Sequence, residues 1–160
     1  MITTASQLES FLAELKDENR IAIDTESDSF YRYPERLCLI QISTASQDIL
    51  IDPLALRDLT PLAPLLRDPR IEKVFHAAEY DIICLKRSCG AIQTIWPLFD
   101  TMAAARILGC QELGLTALVK RMTGASLSKK LQLSDWGRRP LTSEQTAYAK
   151  TDTHYLLSIR

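Results

Sequence analysis

Asp24 and Glu26 stand two residues apart at the end of the stretch Arg20-Ile21-Ala22-Ile23-Asp24-Thr25-Glu26. The first half of that stretch is apolar, short and rich in β-branched residues, the pattern of a buried strand. Side chains alternate along a strand, so Ala22, Asp24 and Glu26 leave the same face. Two carboxylates on one face build a poor core. They make a good seat for a hard divalent cation, because Mg²⁺ and Mn²⁺ prefer oxygen ligands. Taken alone, Asp-x-Glu equally describes a strand that has ended in two solvated acids. Two further acids bear on the choice. Tyr148, Asp152, Tyr155 and Ile159 follow the spacing of a core-facing helical stripe, which places Asp152 among apolar residues. Asp81 falls on the same helical face as Ala78, Cys84 and Leu85. An acid on an apolar face is normally paired, hydrogen-bonded or bound to metal. Each also fits a capping or ion-paired carboxylate singly, but four near the edges of one sheet favour metal.

The elements that must position these acids follow from periodicity. Residues 4–18 read as a helix, with Leu8, Phe11, Leu12 and Leu15 at helical spacing. The strand from Arg20 comes next, then a polar, aromatic loop over 28–36. Residues 37–43 and 48–52 read as strands, joined by a connection short enough for a hairpin. The first three strands therefore form an antiparallel meander, ended by Pro53. A short helix is expected over 59–66, a fourth strand over 72–76, a helix over 78–88 closed by Gly90, and a brief fifth strand over 95–99. Helices follow over 101–108 and 115–122, bounded by Gly109, Gly114 and Gly124. A long polar loop spans 125–141. The last helix opens at Thr142-x-x-Gln145, a capping-box pattern, and runs to the chain end. This order predicts an α/β fold, a mixed sheet with helices on both faces.

Composition sets the bounds. A chain of 160 residues with 46% hydrophobic content is one globular domain, expected to span 1–160. No apolar run is long enough to cross a bilayer, so no membrane is expected as a partner. The N-terminus has neither a basic nor an apolar leader region. Cys38, Cys84, Cys89 and Cys110 form no Cys-x-x-Cys pair and read as reduced, mostly buried thiols of a cytoplasmic protein. A net charge of −1 excludes coating of nucleic acid by bulk electrostatics. A polyanion must be held by local basic groups or by bound metal. The apolar helical pattern still running at Arg160 is that of one domain of a longer protein, or of a clipped one.

Asp24-Thr-Glu26, His76-Ala-Ala-Glu-Tyr-Asp81 and Tyr148-x-x-x-Asp152 together resemble the three motifs of the DEDD exonuclease superfamily. The tyrosine four residues before the last aspartate matches the tyrosine subclass; the histidine subclass would place histidine where this chain has Ala147. Phe99-Asp-Thr-Met-Ala-Ala-Ala-Arg106, Gly114-Leu-Thr-Ala-Leu-Val119 and Ser128-Lys-Lys-Leu-Gln-Leu-Ser-Asp-Trp136-x-x-Arg-Pro-Leu141 are similar to ribonuclease D. The Lys-Lys and Asp-Thr-His forms are similar to nuclear exosome-associated relatives. The resemblance covers residues 20–158. It departs from ribonuclease D in showing no helical HRDC domain within these residues.

The resemblance implies a ribonuclease H-like sheet and a 3′-5′ exonuclease that releases nucleoside monophosphates from a single-stranded 3′ end. RNA is favoured over DNA only by the ribonuclease D likeness of residues 99–141. It implies two divalent ions, Mg²⁺ or Mn²⁺, which in such pairs sit about 3.5–4 Å apart. Asp24 would bridge both, Glu26 and Asp152 would complete the first site, and Asp81 would serve the second. Tyr148, one turn from Asp152, would orient the attacking water rather than act as a strong base, since tyrosine ordinarily titrates near ~10. Lys129, Lys130, Arg138 and Arg139 are candidates for phosphate contacts, and Trp136, Tyr31 and Tyr33 for stacking on bases. The opposing readings are a solvated loop, an Arg139 tied to a carboxylate, and a Trp136 that anchors its loop in the core. His76 is expected to orient the strand end. The rivals to an RNA exonuclease are a DNA exonuclease of proofreading or repair type and a silent nucleic-acid-binding module.

Overall fold

Alternation along Arg20–Ser27 (β1) divides the molecule into two sides, as a computed structural model of residues 1–160 describes it. Ile21 and Ile23 point into the larger core with Leu8, Phe11 and Leu15 of the N-terminal helix α1 (Ala5–Glu14) and the 3₁₀ turn that follows it. Ala22 points the other way, into a second core with Val74, Leu118 and Leu156. Asp24 and Glu26 continue that second face.

β1 pairs antiparallel with β2 (Leu37–Ser43), and β2 with β3 (Asp48–Ile51). On the other side of β1, β4 (Glu72–Phe75) and β5 (Leu98–Asp100) run parallel. The order is β3-β2-β1-β4-β5, the expected meander extended by two parallel strands. The helices after α1 are α2 (Pro53–Leu56), α3 (Leu62–Arg67), α4 (Glu79–Ser88), α5 (Thr101–Ile107), α6 (Leu115–Thr123), α7 (Ser143–His154) and α8 (Leu156–Ile159). No helix is long and apolar enough to cross a membrane.

Four expectations are corrected. Pro53 does not merely end β3: it occupies the first turn of α2, where its missing N–H is no loss, and Asp52 Oδ1 caps the amides of Leu54 and Ala55 at 3.0 and 3.3 Å. The helix expected over 59–66 starts later, as α3, with Pro61 at its N-cap. The last helix is not continuous; it breaks at Tyr155 into α7 and α8. Nor is the stripe of Tyr148, Asp152, Tyr155 and Ile159 the core face of α7. Gln145, Ala149 and Thr153 are buried there, and Thr153 Oγ1 meets Ser43 Oγ of β2 at 2.6 Å. Tyr148 and Asp152 are thereby turned to the flank of the helix, half-buried and beside β1.

Candidate active site

The two strand acids and the last helix converge at one end of β1. The carboxylate oxygens of Asp24, Glu26 and Asp152 lie within 4.8 Å of one another, and all three residues are half-buried. Asp81 comes from the first turn of α4 and is buried. Its Oδ1 accepts a 2.6 Å hydrogen bond from Thr25 Oγ1, the side chain that leaves β1 opposite to Asp24 and Glu26. The acid ladder therefore has three members on one face and a fourth held from the other. None of the ion pairs in the protein reaches any of these four acids.

Burial and mutual repulsion set their protonation. Asp24 is held well above the ordinary carboxylate range by burial, then by the charges of Asp81 and Asp152. Burial first, and Asp24 next, push Glu26 up to about 10. Burial raises Asp152 to about 7 against the pull of the Tyr148 hydroxyl, and raises Asp81 to about 6 against its bond from Thr25. Burial and the nearby carboxylates raise the Tyr148 phenol as well, so it stays protonated at neutral pH. An all-oxygen donor set, clustered and without a cationic side chain, fits a hard divalent ion; such an ion would restore the charged forms.

Asp24, Glu26 and Asp152 open onto a cleft of about 350 Å³ that is also lined by His76, Ala77, Lys129, Gln132 and Tyr148, within the usual size range of small-ligand clefts. Ala77 has φ of 60°, a left-handed conformation that costs a side-chain-bearing residue about 1–2 kcal/mol. Asp100 holds it there. Its carboxylate accepts from the amides of Ala77 and Ala78 at 3.1 and 3.0 Å, and caps α5 through Met102 and Ala103 at 2.8 and 3.1 Å. Burial alone would raise Asp100; these four N–H donors hold it below the ordinary range instead.

The basic and aromatic candidates of the 125–141 loop separate. Lys129 lines the cleft. Lys130 is exposed on an adjoining groove behind Tyr148, and Arg138 is exposed. Arg139 is not available to phosphate. Its guanidinium grips Asp52 through Nε at 2.7 Å and Nη2 at 2.9 Å, and donates to the carbonyls of Cys38 and Trp136 at 2.7 and 2.8 Å. Trp136 is not available to a base. It is 1% exposed, packed with Leu39, Leu50 and Ala149, and its ring centroid lies 6.0 Å from that of Tyr148. The two anchor the loop and back the tyrosine. Tyr31 and Tyr33 are exposed, and the Tyr31 hydroxyl donates to Leu133 O at 2.9 Å, tying the aromatic loop to this one.

Sequence reasoning missed Thr25, Asp100 and Gln41. Gln41 lies directly opposite Asp24 in the β1–β2 pair, fully buried, with both amide atoms unpaired. A lone amide inside the apolar run 37–42 was the available signal.

The arrangement of three clustered carboxylates, a fourth nearby and a tyrosine one turn before the last has a counterpart. The model of a 3′-5′ exonuclease family matches residues 1–160. The chain belongs to the DEDD 3′-5′ exonucleases. Its exonuclease fold is 42% identical over 159 residues to the exosome complex exonuclease RRP6 of Saccharomyces cerevisiae, covering 99% of this chain and 21% of that protein. It is 37% identical to Escherichia coli RNase D, an exoribonuclease involved in structured RNA processing, with a TM-score of 0.92 over 99% of this chain and 42% of that one. Brucella melitensis NrnC, solved with bound Mg²⁺, is 28% identical with a TM-score of 0.77 over 91% of this chain and 72% of that one. The exonuclease domain thus spans about a fifth of the RRP6 protein it matches.

Proposed function

We propose that this domain removes nucleotides one at a time from the 3′ end of single-stranded RNA, using two divalent ions, Mg²⁺ or Mn²⁺. The observation that carries the reading is the convergence of Asp24, Glu26 and Asp152 within 4.8 Å, without a cationic side chain, beside a tyrosine hydroxyl. Asp24, Glu26 and Asp152 would hold one ion. Asp81, near enough to raise Asp24, would serve the second with it. Such ions acidify the attacking water and stabilise the attacking and leaving oxygens of an in-line displacement. Tyr148, protonated at neutral pH, keeps a hydroxyl beside Asp152 that can hold and orient that water. Lys129 would meet the phosphate backbone, and exposed Tyr31 or Tyr33 would stack on upstream bases. The likeness to RNase D favours RNA. Four free thiols, three of them buried, support a reducing compartment, the cytoplasm, as the place of action.

A 5′-labelled single strand tests the polarity. The label should persist while a ladder shortens from the 3′ end and mononucleotides appear. Early release of the labelled nucleotide, or cleavage of a circular strand, would overturn the reading. Matched RNA and DNA strands run in parallel test the substrate class.

A further inference from the structure

His76 lines the cleft but is outside the carboxylate cluster. It comes directly after β4, two residues past Val74, the partner of Ala22 in the parallel pair, and lines the same cleft as Asp24. Its ring state is fixed by its neighbour. Thr101 Oγ1 lies 3.0 Å from Phe75 O, which can only accept, and 2.9 Å from His76 Nδ1; both contacts are made at once when the hydroxyl donates to the carbonyl and accepts from Nδ1. That pairing assigns the ring proton to Nδ1. Burial lowers the imidazole, outweighing the raising effect of Asp100, which keeps the ring neutral at pH 7. Nε2 is left as a bare acceptor, with no hydrogen bond inside the protein.

A bare acceptor repels phosphate oxygens and seeks a donor. On a bound nucleic acid the donors are base N–H groups and ribose hydroxyls. A contact to a base would favour some bases over others, which suits poorly a site that must process every nucleotide. The 2′-hydroxyl is present on every residue of RNA and absent from DNA. Resting on the exonuclease reading above, we infer that His76 Nε2 accepts a hydrogen bond from the 2′-hydroxyl of a ribose held in the cleft, so that this domain itself distinguishes RNA from DNA.

The test uses an all-ribose strand and two strands with a single 2′-deoxyribose, at the terminal or the penultimate position. Turnover is read with Mg²⁺ or Mn²⁺. Binding is read by fluorescence anisotropy with Ca²⁺ instead, so that one readout does not depend on turnover. In the wild type, one of the two substitutions should lower kcat/KM and affinity about tenfold, the worth of one neutral hydrogen bond. His76→Phe should lose about as much on the all-ribose strand, and the deoxy substitution should then cost it nothing further. His76→Gln, which offers an amide oxygen near the place of Nε2, should recover part of the discrimination. The ¹⁵N spectrum of the ring should show the Nδ1-protonated tautomer. A deoxy penalty of equal size in wild type and His76→Phe, no penalty at either position in the wild type, or an Nε2-protonated ring would each overturn the inference. Release of nucleotides from the 5′ end would instead count against the exonuclease reading, and the anisotropy ratio would still decide the role of His76.

Discussion

Tyr148 and Asp152 share one flank of α7, and each is understood through the other. The phenol lowers the carboxylate while burial raises it, and the carboxylate helps keep the phenol protonated. A group that titrates far above neutrality makes a poor base, so the role proposed for it is the placement of a hydroxyl. Tyr148→Phe should therefore lower kcat about a hundredfold, the lower end for a positioned proton-handling group. It should leave metal affinity close to wild type, because every carboxylate remains. The pH–rate profile between pH 6 and 9 should keep its shape. A variant with wild-type turnover where chemistry limits the rate, or one whose alkaline limb disappears, would remove the orienting role. The acids were legible in the sequence because carboxylates are conspicuous at strand and helix spacing, but the part of Tyr148 came only with the resemblance to the exonuclease motifs, and its stripe with Asp152 is not the core face of α7. The supports of the acids were not legible. Thr25 holds Asp81 from the opposite face of β1, and Asp100 binds two amides across a turn; contacts between residues 56 and 23 positions apart leave no periodic trace.

Among the elements, the strands β1 to β3 were legible because short apolar runs between turn residues admit few other structures. The segment 125–141 was legible as a loop, with a core Trp136 and a carboxylate-bound Arg139 among the readings it allowed, but which contacts order it was not, since it has no periodicity and its order comes from single long-range contacts. Arg139 is the chief of these. It joins the loop to Asp52, which also caps α2, and to the backbone of β2 at Cys38. Asp52 is 3% exposed, so losing its partner strands a buried charge. Arg139→Met keeps the aliphatic stem and removes the fork; it should destabilise the domain by about 3 kcal/mol, lowering the melting temperature by roughly 10 °C. Lys129→Ala should change stability by less than about 0.5 kcal/mol, as exposed substitutions do, and should raise KM instead. The pair separates an architectural arginine from the lysine proposed to meet the phosphate backbone on the same loop. If Arg139→Met melts like wild type and only binding suffers, the assignment is reversed.

At the scale of the whole molecule, the acids that would hold metal oppose the fold when no cation is present. Two like charges ~4 Å apart repel by about 4 kcal/mol at an effective dielectric of 20, an upper bound for a site open to water. The folded-state carboxyls are raised: Asp81 to about 6, Asp152 to about 7 and Glu26 to about 10, with Asp24 also high. In the unfolded chain they titrate near ~4. Between those limits the folded state binds more protons than the unfolded one, so stability must fall as pH rises. Without metal, the melting temperature should therefore drop from about pH 4 through pH 7, and Glu26 should extend the fall beyond neutrality. Divalent metal that binds only the folded state should cancel it. At a free concentration ~100 times the dissociation constant, one site contributes about 2.7 kcal/mol, worth several degrees in a domain of this size. Asp24→Asn removes one repelling charge while nearly keeping volume. It should melt higher than wild type in chelator at pH 8, show a shallower pH slope, and lose most of the metal-induced shift together with nearly all activity. Four melts at each pH decide this, each protein with and without metal. If Asp24→Asn is markedly less stable than wild type in chelator, Asp24 is satisfied by protein partners, and the picture of a strained ligand relieved by metal fails.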